Sequence, residues 1–253
     1  MRRLSRRRFL SAVALVGGGI PLAAVLGCSD GDPEMRAATS SQAGMAPAST
    51  GTASAKPVAV RFNADLHMVV DKRRALPVPY APSDLEAVPA AWHADGASGQ
   101  QVRAAVLAAM RPLMTAATAD GVDLRVESAY RSFDEQVRTF AYWVGVMGET
   151  QARRVSAVAG HSEHQLGATV DFSDPMNGWQ LLESFAPTPS GRWLAANAHR
   201  FGFAMSYPQG GEAITGYAYE PWHFRYVGVA AAAEWRASGK TLVEYLESLQ
   251  ARG

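Results

Sequence analysis

The sequence predicts an α+β fold: a single domain in which a small antiparallel β-sheet packs against helices. Segments with apolar residues at helical spacing and segments of alternating apolar and polar residues follow one another in mixed order, with short connections. The chain has 253 residues, of which 48% are hydrophobic and 19% charged, so it has enough apolar material for one sizeable core. No internal repeat is visible from residue 58 to the end, and we expect one domain there.

The first helix and strand are predicted within residues 98–127. Residues 98–101 read Ser-Gly-Gln-Gln, the pattern of a capping box, which predicts that a helix begins there. Gly121 is expected to end this helix. Residues 122–127 then alternate between apolar and charged side chains, which predicts a half-buried strand. The helix is expected to bury one apolar face made of Val102, Val106, Met110 and Leu113.

A second helix is predicted between Ser132 and Gly148. Ser132 and Glu135 have the spacing of a capping box, and Gly148 is expected to end the helix. Its buried face is expected to consist of Val137, Phe140, Val144 and Met147.

The C-terminal half is predicted to alternate short strands and helices. The apolar pattern predicts strands at 168–172, 203–206 and 222–226, and a short helix at 192–200 that Gly202 closes. Two further helical stretches form the tail, where Gly239 separates them and Thr241 with Glu244 caps the second.

The first 27 residues have the character of an export signal. They contain five arginines and no acidic residue. The arginines come before a short run of small and apolar residues, which is typical of a signal peptide. Residues 5–10 resemble a twin-arginine signal, and residues 25–28 resemble a lipobox ending at Cys28. Without these five arginines the net charge falls from +1 to −4, so nothing in the composition suggests a nucleic-acid partner.

The only cysteine of the chain is Cys28, directly after this apolar run. We therefore expect signal-peptide cleavage and a lipid anchor on Cys28, with a plain signal peptide and a chance cysteine as the alternative. Residues 28–57 are rich in Ser, Ala, Gly and Pro without hydrophobic periodicity, which predicts a flexible tether ahead of a domain at 58–253. A single cysteine also excludes an internal disulfide and a cysteine-based zinc site.

Two segments, 160–172 and 217–226, concentrate the residues that carry chemistry. His164, Asp171 and His223 would supply two imidazoles and one carboxylate, a set that suits catalytic zinc with one coordination position left for water. Glu220 precedes the last histidine by three residues and is expected in the loop before the strand, where it could act as a general base. Scattered histidines and carboxylates more often have capping, surface or core roles, so this spacing alone leaves those alternatives open.

The motifs resemble the VanY-type D-alanyl-D-alanine carboxypeptidases. These belong to a wider group of zinc peptidases that includes D,D-dipeptidases and shares a fold with the hedgehog signalling domain. The resemblance rests on Ser162-x-His164, on Asp171 seven residues later, and on the Glu-Pro-Trp-His run at 220–223. It is supported by residues 78–80 with 84–85, 128–132 with 136, 202–208 and 214–219, and it covers roughly residues 65–230.

The resemblance implies a role for each matching residue. His164, Asp171 and His223 would bind Zn²⁺, Glu220 would be the catalytic base, and Arg131 would stabilise the oxyanion. Four further positions would line the substrate pocket: Gln136, Ser162, Tyr207 and Trp222. Trp222 could instead be a core residue and Ser162 only a turn residue. The family's usual proline is replaced by Ala159, which removes no ligand.

The function implied is zinc-dependent D,D-carboxypeptidase activity that removes the terminal D-Ala from peptidoglycan stem peptides. An L,D-carboxypeptidase or a peptidoglycan endopeptidase could use the same zinc site and stays an alternative. A non-catalytic wall-binding module would be expected to lack a ligand or the base, and this chain keeps all of them. We expect an exported monomer, located in the periplasm or cell envelope and attached to the membrane through its N-terminal lipid.

Overall fold

The computed structural model describes residues 60–78 and 80–252, so the predicted signal peptide, the tether and Cys28 lie outside the described residues. Six strands lie at β1 Leu85–Ala87, β2 Gln101–Arg103, β3 Arg125–Ser128, β4 Thr169–Ser173, β5 Phe203–Met205 and β6 His223–Tyr226. Eight α-helices in the described part lie at α1 Ala64–His67, α2 Ala104–Ala119, α3 Phe133–Met147, α4 Glu149–Val155, α5 Pro189–Asn197, α6 Glu212–Thr215, α7 Val229–Ser238 and α8 Leu242–Gln250. Among the described residues, no helix is both long enough and apolar enough to cross a membrane.

An antiparallel four-stranded sheet in the order β3-β4-β6-β5 forms the centre of the fold. Its register pairs Asp171 on β4 with His223 on β6 and with Ser128 on β3. Strands β1 and β2 form a separate antiparallel pair. The predicted α+β class with a small antiparallel sheet is therefore confirmed.

The two faces of the central sheet have different surroundings. Val170, Phe172 and Phe224 point into a core that they share with the buried face of α2. Because side chains alternate along a strand, Asp171 and His223 point to the opposite face. The register and the alternation together place these two polar residues side by side. Helices α7 and α8 contribute to a second apolar cluster made of Val69, Ala204, Val227, Ala231, Ala232, Leu242, Tyr245, Leu246 and Leu249.

Local capping signals predicted two helix starts correctly. The Ser132 hydroxyl accepts a hydrogen bond from the Glu135 amide while the Glu135 carboxylate accepts one from the Ser132 amide, which completes the capping box of α3. Thr241 and Glu244 form the same arrangement at α8. Gly148, Gly202 and Gly239 follow helical segments as predicted.

The capping box predicted at residues 98–101 is wrong. Gln101 begins strand β2, and α2 begins after Arg103, whose side chain makes no capping hydrogen bond. The backbone here pairs with β1 instead, and the Gln100 side chain accepts a hydrogen bond from the Ala129 amide. These contacts with distant residues override the local pattern. The helix that follows does bury Val106, Met110 and Leu113 as predicted.

The buried face predicted for α3 is also wrong. Val137 is 47% exposed, and the buried residue of this helix is Gln136. The helix lies at the surface against α4, so its apolar residues are at most partly covered. A polar residue is buried instead because it has hydrogen-bond partners in the candidate site, described below.

Candidate metal centre and active site

The fold brings His164, Asp171 and His223 together in a buried cluster. His164 lies in a short 3₁₀ helix, Glu163–Leu166, and the other two are cross-strand neighbours on β4 and β6. Asp171 Oδ2 is 3.2 Å from His164 Nε2, and Asp171 Oδ1 is 3.2 Å from His223 Nδ1. One ligand atom from each residue lies within 4.8 Å of the others, and all three side chains are buried. These are the three residues predicted from the sequence as metal ligands, and the structure brings them together.

Each imidazole is oriented by a hydrogen bond from its second ring nitrogen. His164 Nδ1 donates to the Ala129 carbonyl oxygen at 2.6 Å, which leaves Nε2 as the nitrogen facing the cluster. His223 Nε2 donates to Glu163 Oε2 at 3.0 Å, which leaves Nδ1 facing the cluster. Such partners commonly fix the tautomer and ring orientation of metal-binding histidines.

The cluster fits a zinc ion. Asp171 Oδ1 is buried and makes no hydrogen bond, so one acceptor at the centre lacks a protein partner. Burial would raise the pKa of Asp171, but the neighbouring His164 and His223 hold it below its ordinary value. Two imidazole nitrogens and one carboxylate are the donors of many catalytic zinc sites.

The electrostatics differ between the two histidines. Burial lowers the pKa of His164, which favours the neutral form that a metal ligand requires. Burial also acts to lower the pKa of His223, but the adjacent carboxylates of Asp171 and Glu163 raise it to about 10. The surroundings of His223 therefore favour a positive charge, either a proton or a metal cation, at this position.

Glu220 lies beside the cluster, in the loop before β6 as predicted. Its Oε2 is 3.5 Å from His223 Nδ1, and the residue is 8% exposed. Its backbone amide donates to the Tyr207 carbonyl oxygen at 3.0 Å, which fixes the loop. Burial, together with the Asp171 carboxylate, raises the pKa of Glu220 to about 8 even though His223 opposes this. A carboxyl group with such a pKa is suited to exchanging protons near neutrality.

Arg131 is held rigidly next to the metal centre. Its guanidinium donates to Gln136 Oε1 at 2.8 Å and to Ser128 Oγ at 3.0 Å, while its backbone amide donates to the His164 carbonyl oxygen. Gln136 is itself fully buried and donates to the Ala157 carbonyl oxygen at 2.6 Å. Gln136 therefore orients Arg131, and its predicted place in the substrate pocket stays a prediction.

The other three predicted pocket residues have different surroundings. The Tyr207 ring packs 4.7 Å from the His223 ring and 4.6 Å from that of Tyr217, and it is buried. Ser162 is buried and precedes the 3₁₀ helix without capping it through its side chain. Trp222 is partly buried against the main core. Their contact with substrate stays a prediction.

Sequence reasoning missed a group of polar residues behind His223: Glu163, Ser206 and Arg225. Glu163 accepts hydrogen bonds from His223, from Ser206 Oγ at 2.6 Å and from Arg225 Nη1 at 2.8 Å. Arg225 follows His223 by two residues on one strand, so the two side chains share a face. The alternation of side chains along β6 was therefore the sequence signal that could have identified Arg225 as part of this group.

Comparisons with known proteins agree with this architecture. Residues 99–229 match the sequence model of the VanY family, described as D-alanyl-D-alanine carboxypeptidase. YodJ of Bacillus subtilis (strain 168) is 39% identical over 184 residues, which cover 72% of this chain and 67% of that protein. The solved structure of the LdcB LD-carboxypeptidase is 40% identical with a TM-score of 0.65, covering 70% of this chain and 84% of LdcB.

A second solved structure is a variant of the vancomycin resistance D,D-pentapeptidase VanY from a VanB-type cassette, in complex with Zn(II). It is 30% identical with a TM-score of 0.60, covering 72% of this chain and 99% of that one. The family match spans more than half of this chain and includes the whole His164–Asp171–His223 cluster together with Glu220 and Arg131. The chain therefore belongs to the VanY family of D-alanyl-D-alanine carboxypeptidases.

Proposed function

We propose that this protein is a zinc-dependent D,D-carboxypeptidase that hydrolyses the C-terminal D-Ala from peptidoglycan stem peptides. The observation that carries this proposal is the buried His164–Asp171–His223 cluster with Glu220 in contact with it and Arg131 close enough to interact with Asp171 and Glu220 electrostatically. His164, Asp171 and His223 would hold the ion. Zinc bound there supplies a Lewis acid that polarises the scissile carbonyl and makes water more acidic.

The residues of the chain then account for the proton transfers. Ionised Glu220 accepts a proton from the attacking water, whose oxygen bonds to the carbonyl carbon. The carbon–nitrogen bond breaks, and Glu220 returns the proton to the leaving amine of D-Ala. Burial raises the pKa of Glu220 to about 8, which suits it to hold this proton between the two transfers.

Arg131 would stabilise the negative charge that develops on the carbonyl oxygen. Burial lowers the pKa of its guanidinium, while the carboxylates of Asp171 and Glu220 oppose that shift, and an arginine remains charged in any case. Because Gln136 and Ser128 fix the guanidinium before substrate arrives, little reorganisation is needed in the transition state.

L,D-carboxypeptidase activity is a second candidate. The chain is more similar to the LD-carboxypeptidase LdcB than to the D,D-pentapeptidase VanY, in both sequence identity and TM-score. Defined muropeptides distinguish the two activities. A D,D-carboxypeptidase shortens a pentapeptide stem ending in D-Ala-D-Ala and leaves the tetrapeptide intact, whereas an L,D-carboxypeptidase shortens the tetrapeptide to a tripeptide.

Mass analysis of the products, with and without a chelator, tests the proposal. Release of D-Ala from the pentapeptide that stops on chelation supports it. Cleavage of only the tetrapeptide would replace it with the L,D activity, and cleavage inside the stem or the cross-bridge would replace it with an endopeptidase.

We also propose that the protein is exported through residues 1–27, anchored by lipid on Cys28 and joined by the tether at 28–57 to the domain at 58–253. The sequence of this segment is the support: a basic start, an apolar run and the chain's single cysteine at its end. Replacing Cys28 with serine should move the protein from the membrane fraction to the soluble fraction of the envelope. Unchanged membrane association would refute the lipid anchor.

We propose that the domain acts as a monomer, since its predicted ligands, base and arginine all come from one chain. Light scattering of the purified protein should give the mass of one chain, and a dimer mass would refute this.

A further inference from the structure

Behind the metal centre lies a fully buried arginine that the proposed reaction does not use. Arg225 is 0% exposed, although its neighbour Tyr226 on β6 is only partly buried. Its Nη1 donates to Glu163 Oε1 at 2.8 Å. Its Nη2 donates to the backbone carbonyl oxygens of Leu66 at 2.8 Å and Met68 at 2.7 Å. A buried guanidinium costs free energy unless it is paired, and this one is paired through Nη1 and Nη2, while Nε makes no hydrogen bond.

Glu163 connects this arginine to a predicted zinc ligand. One of its oxygens accepts from Arg225, and the other accepts from Ser206 Oγ at 2.6 Å and from His223 Nε2 at 3.0 Å. Three donors converge on this carboxylate, so it acts only as a hydrogen-bond acceptor.

We propose that Arg225, acting through Glu163, is a positioning residue that orients His223 for the metal and links the backbone at Leu66–Met68 to the metal centre. The inference rests on the proposed zinc site. Glu163 holds the Nε2–H of His223, so Nδ1 is the nitrogen presented to the ion. Arg225 in turn fixes Glu163, and the two carbonyl groups fix Arg225 from a segment that precedes the matched family region.

The linkage has a thermodynamic consequence. If correct placement of Glu163 favours metal binding, metal binding must favour correct placement of Glu163 by the same factor. The hydrogen bonds to Leu66 and Met68 are part of that arrangement. Zinc is therefore expected to stabilise the segment 64–70 even though its side chains supply none of the predicted ligands.

Glu163→Gln is the sharpest variant because it keeps the size of the side chain. An amide has only one acceptor oxygen, so either His223 or Arg225 faces an NH₂ group and loses its hydrogen bond. Ser206→Ala removes one donor to Glu163 and leaves His223 and Arg225 paired, which gives a milder perturbation. Glu234→Gln is the matched control, since Glu234 pairs with Arg252 at the surface.

The experiment measures the zinc Kd of the full protein by competition with a chromophoric chelator, and the melting temperature of the chelator-treated protein. Loss of an outer partner of a ligating histidine typically weakens metal binding about 10- to 100-fold, and we expect Glu163→Gln to fall in that range. Ser206→Ala should weaken it less, and Glu234→Gln should leave it unchanged. Melting temperatures identify any variant that is merely misfolded.

A folded Glu163→Gln protein with the zinc Kd of the wild type would overturn the positioning role. An equal loss of zinc affinity in Glu234→Gln would do so as well.

Hydrogen exchange tests the link between the metal centre and residues 64–70. Zinc should slow amide exchange within residues 64–70 of the wild type, and Arg225→Lys should abolish that difference. Exchange that zinc does not alter in the wild type would overturn the link. If the wild type binds no zinc at all, the proposed function itself fails.

Discussion

Replacing Arg131 with methionine should separate a loss of rate from a loss of stability. The substitution removes the guanidinium but keeps much of the side-chain volume. Removing one preorganised donor to a developing oxyanion typically lowers kcat about 10²- to 10³-fold, or about 2.7–4 kcal/mol of transition-state stabilisation. Zinc content should not change, because the contact between Arg131 and His164 is made by the backbone.

The stability cost follows from Gln136. Its Oε1 accepts from Arg131 at 2.8 Å in a fully buried position, so the variant leaves that oxygen without its donor. An unsatisfied buried acceptor costs about 1–3 kcal/mol. For a domain of this size, each 1 kcal/mol lowers Tm by about 2–4 °C. The variant should therefore remain folded at room temperature while losing nearly all turnover.

The assay follows D-Ala release from a pentapeptide muropeptide over a range of substrate concentrations, alongside metal analysis and thermal melting. Arg252→Met is the matched control, since it removes a surface arginine paired with Glu234. If Arg131→Met loses less than about tenfold in kcat, well short of the loss expected for an oxyanion donor, the assigned role is refuted. A loss of activity explained by missing zinc would refute it too.

Three other predictions concern the base, a ligand and the fold. Glu220→Gln should retain zinc and lose about 10²- to 10⁴-fold in kcat, and a near-normal rate with metal present would show that another group moves the proton. His164→Ala should lower zinc content itself, and metal analysis showing one zinc per chain in that variant would count against the ligand set. Gly202 has φ +89°, and an added Cβ would lie 2.6 Å from the Tyr226 ring, so Gly202→Ala should destabilise the domain more than Gly210→Ala, which has φ +78° but open space around it. Backbone strain alone costs about 1–3 kcal/mol, so equal effects of the two alanines in urea unfolding would contradict the close approach of Gly202 to Tyr226.

Short-range signals predicted much of the fold. The capping boxes at Ser132 and Thr241 depend on residues three apart, and both form as expected. The pattern at 98–101 failed because strand pairing with Leu85–Ala87 and the contact between Gln100 and Ala129 come from elsewhere in the chain. No local pattern contains that information.

The distinction between short-range signals and contacts from distant parts of the chain applies to the site as well. His164, Asp171 and His223 were identified from motifs, and the structure brings them together through the register of β4 and β6. The network behind them was missed, since Glu163 and Arg225 are 62 residues apart and each resembles an ordinary surface charge. Gln136 was predicted for the substrate pocket, but only the folded chain reveals that it is buried and bonded to Arg131.

The most direct test of the central claim is metal reconstitution followed by product analysis. The purified protein is stripped with a chelator, resupplied with increasing zinc, and incubated with a pentapeptide muropeptide at each step. We predict that D-Ala release vanishes on stripping and returns in proportion to zinc until one ion is bound per chain. Undiminished cleavage by the stripped protein, or intact pentapeptide with the zinc-loaded protein, would contradict the claim.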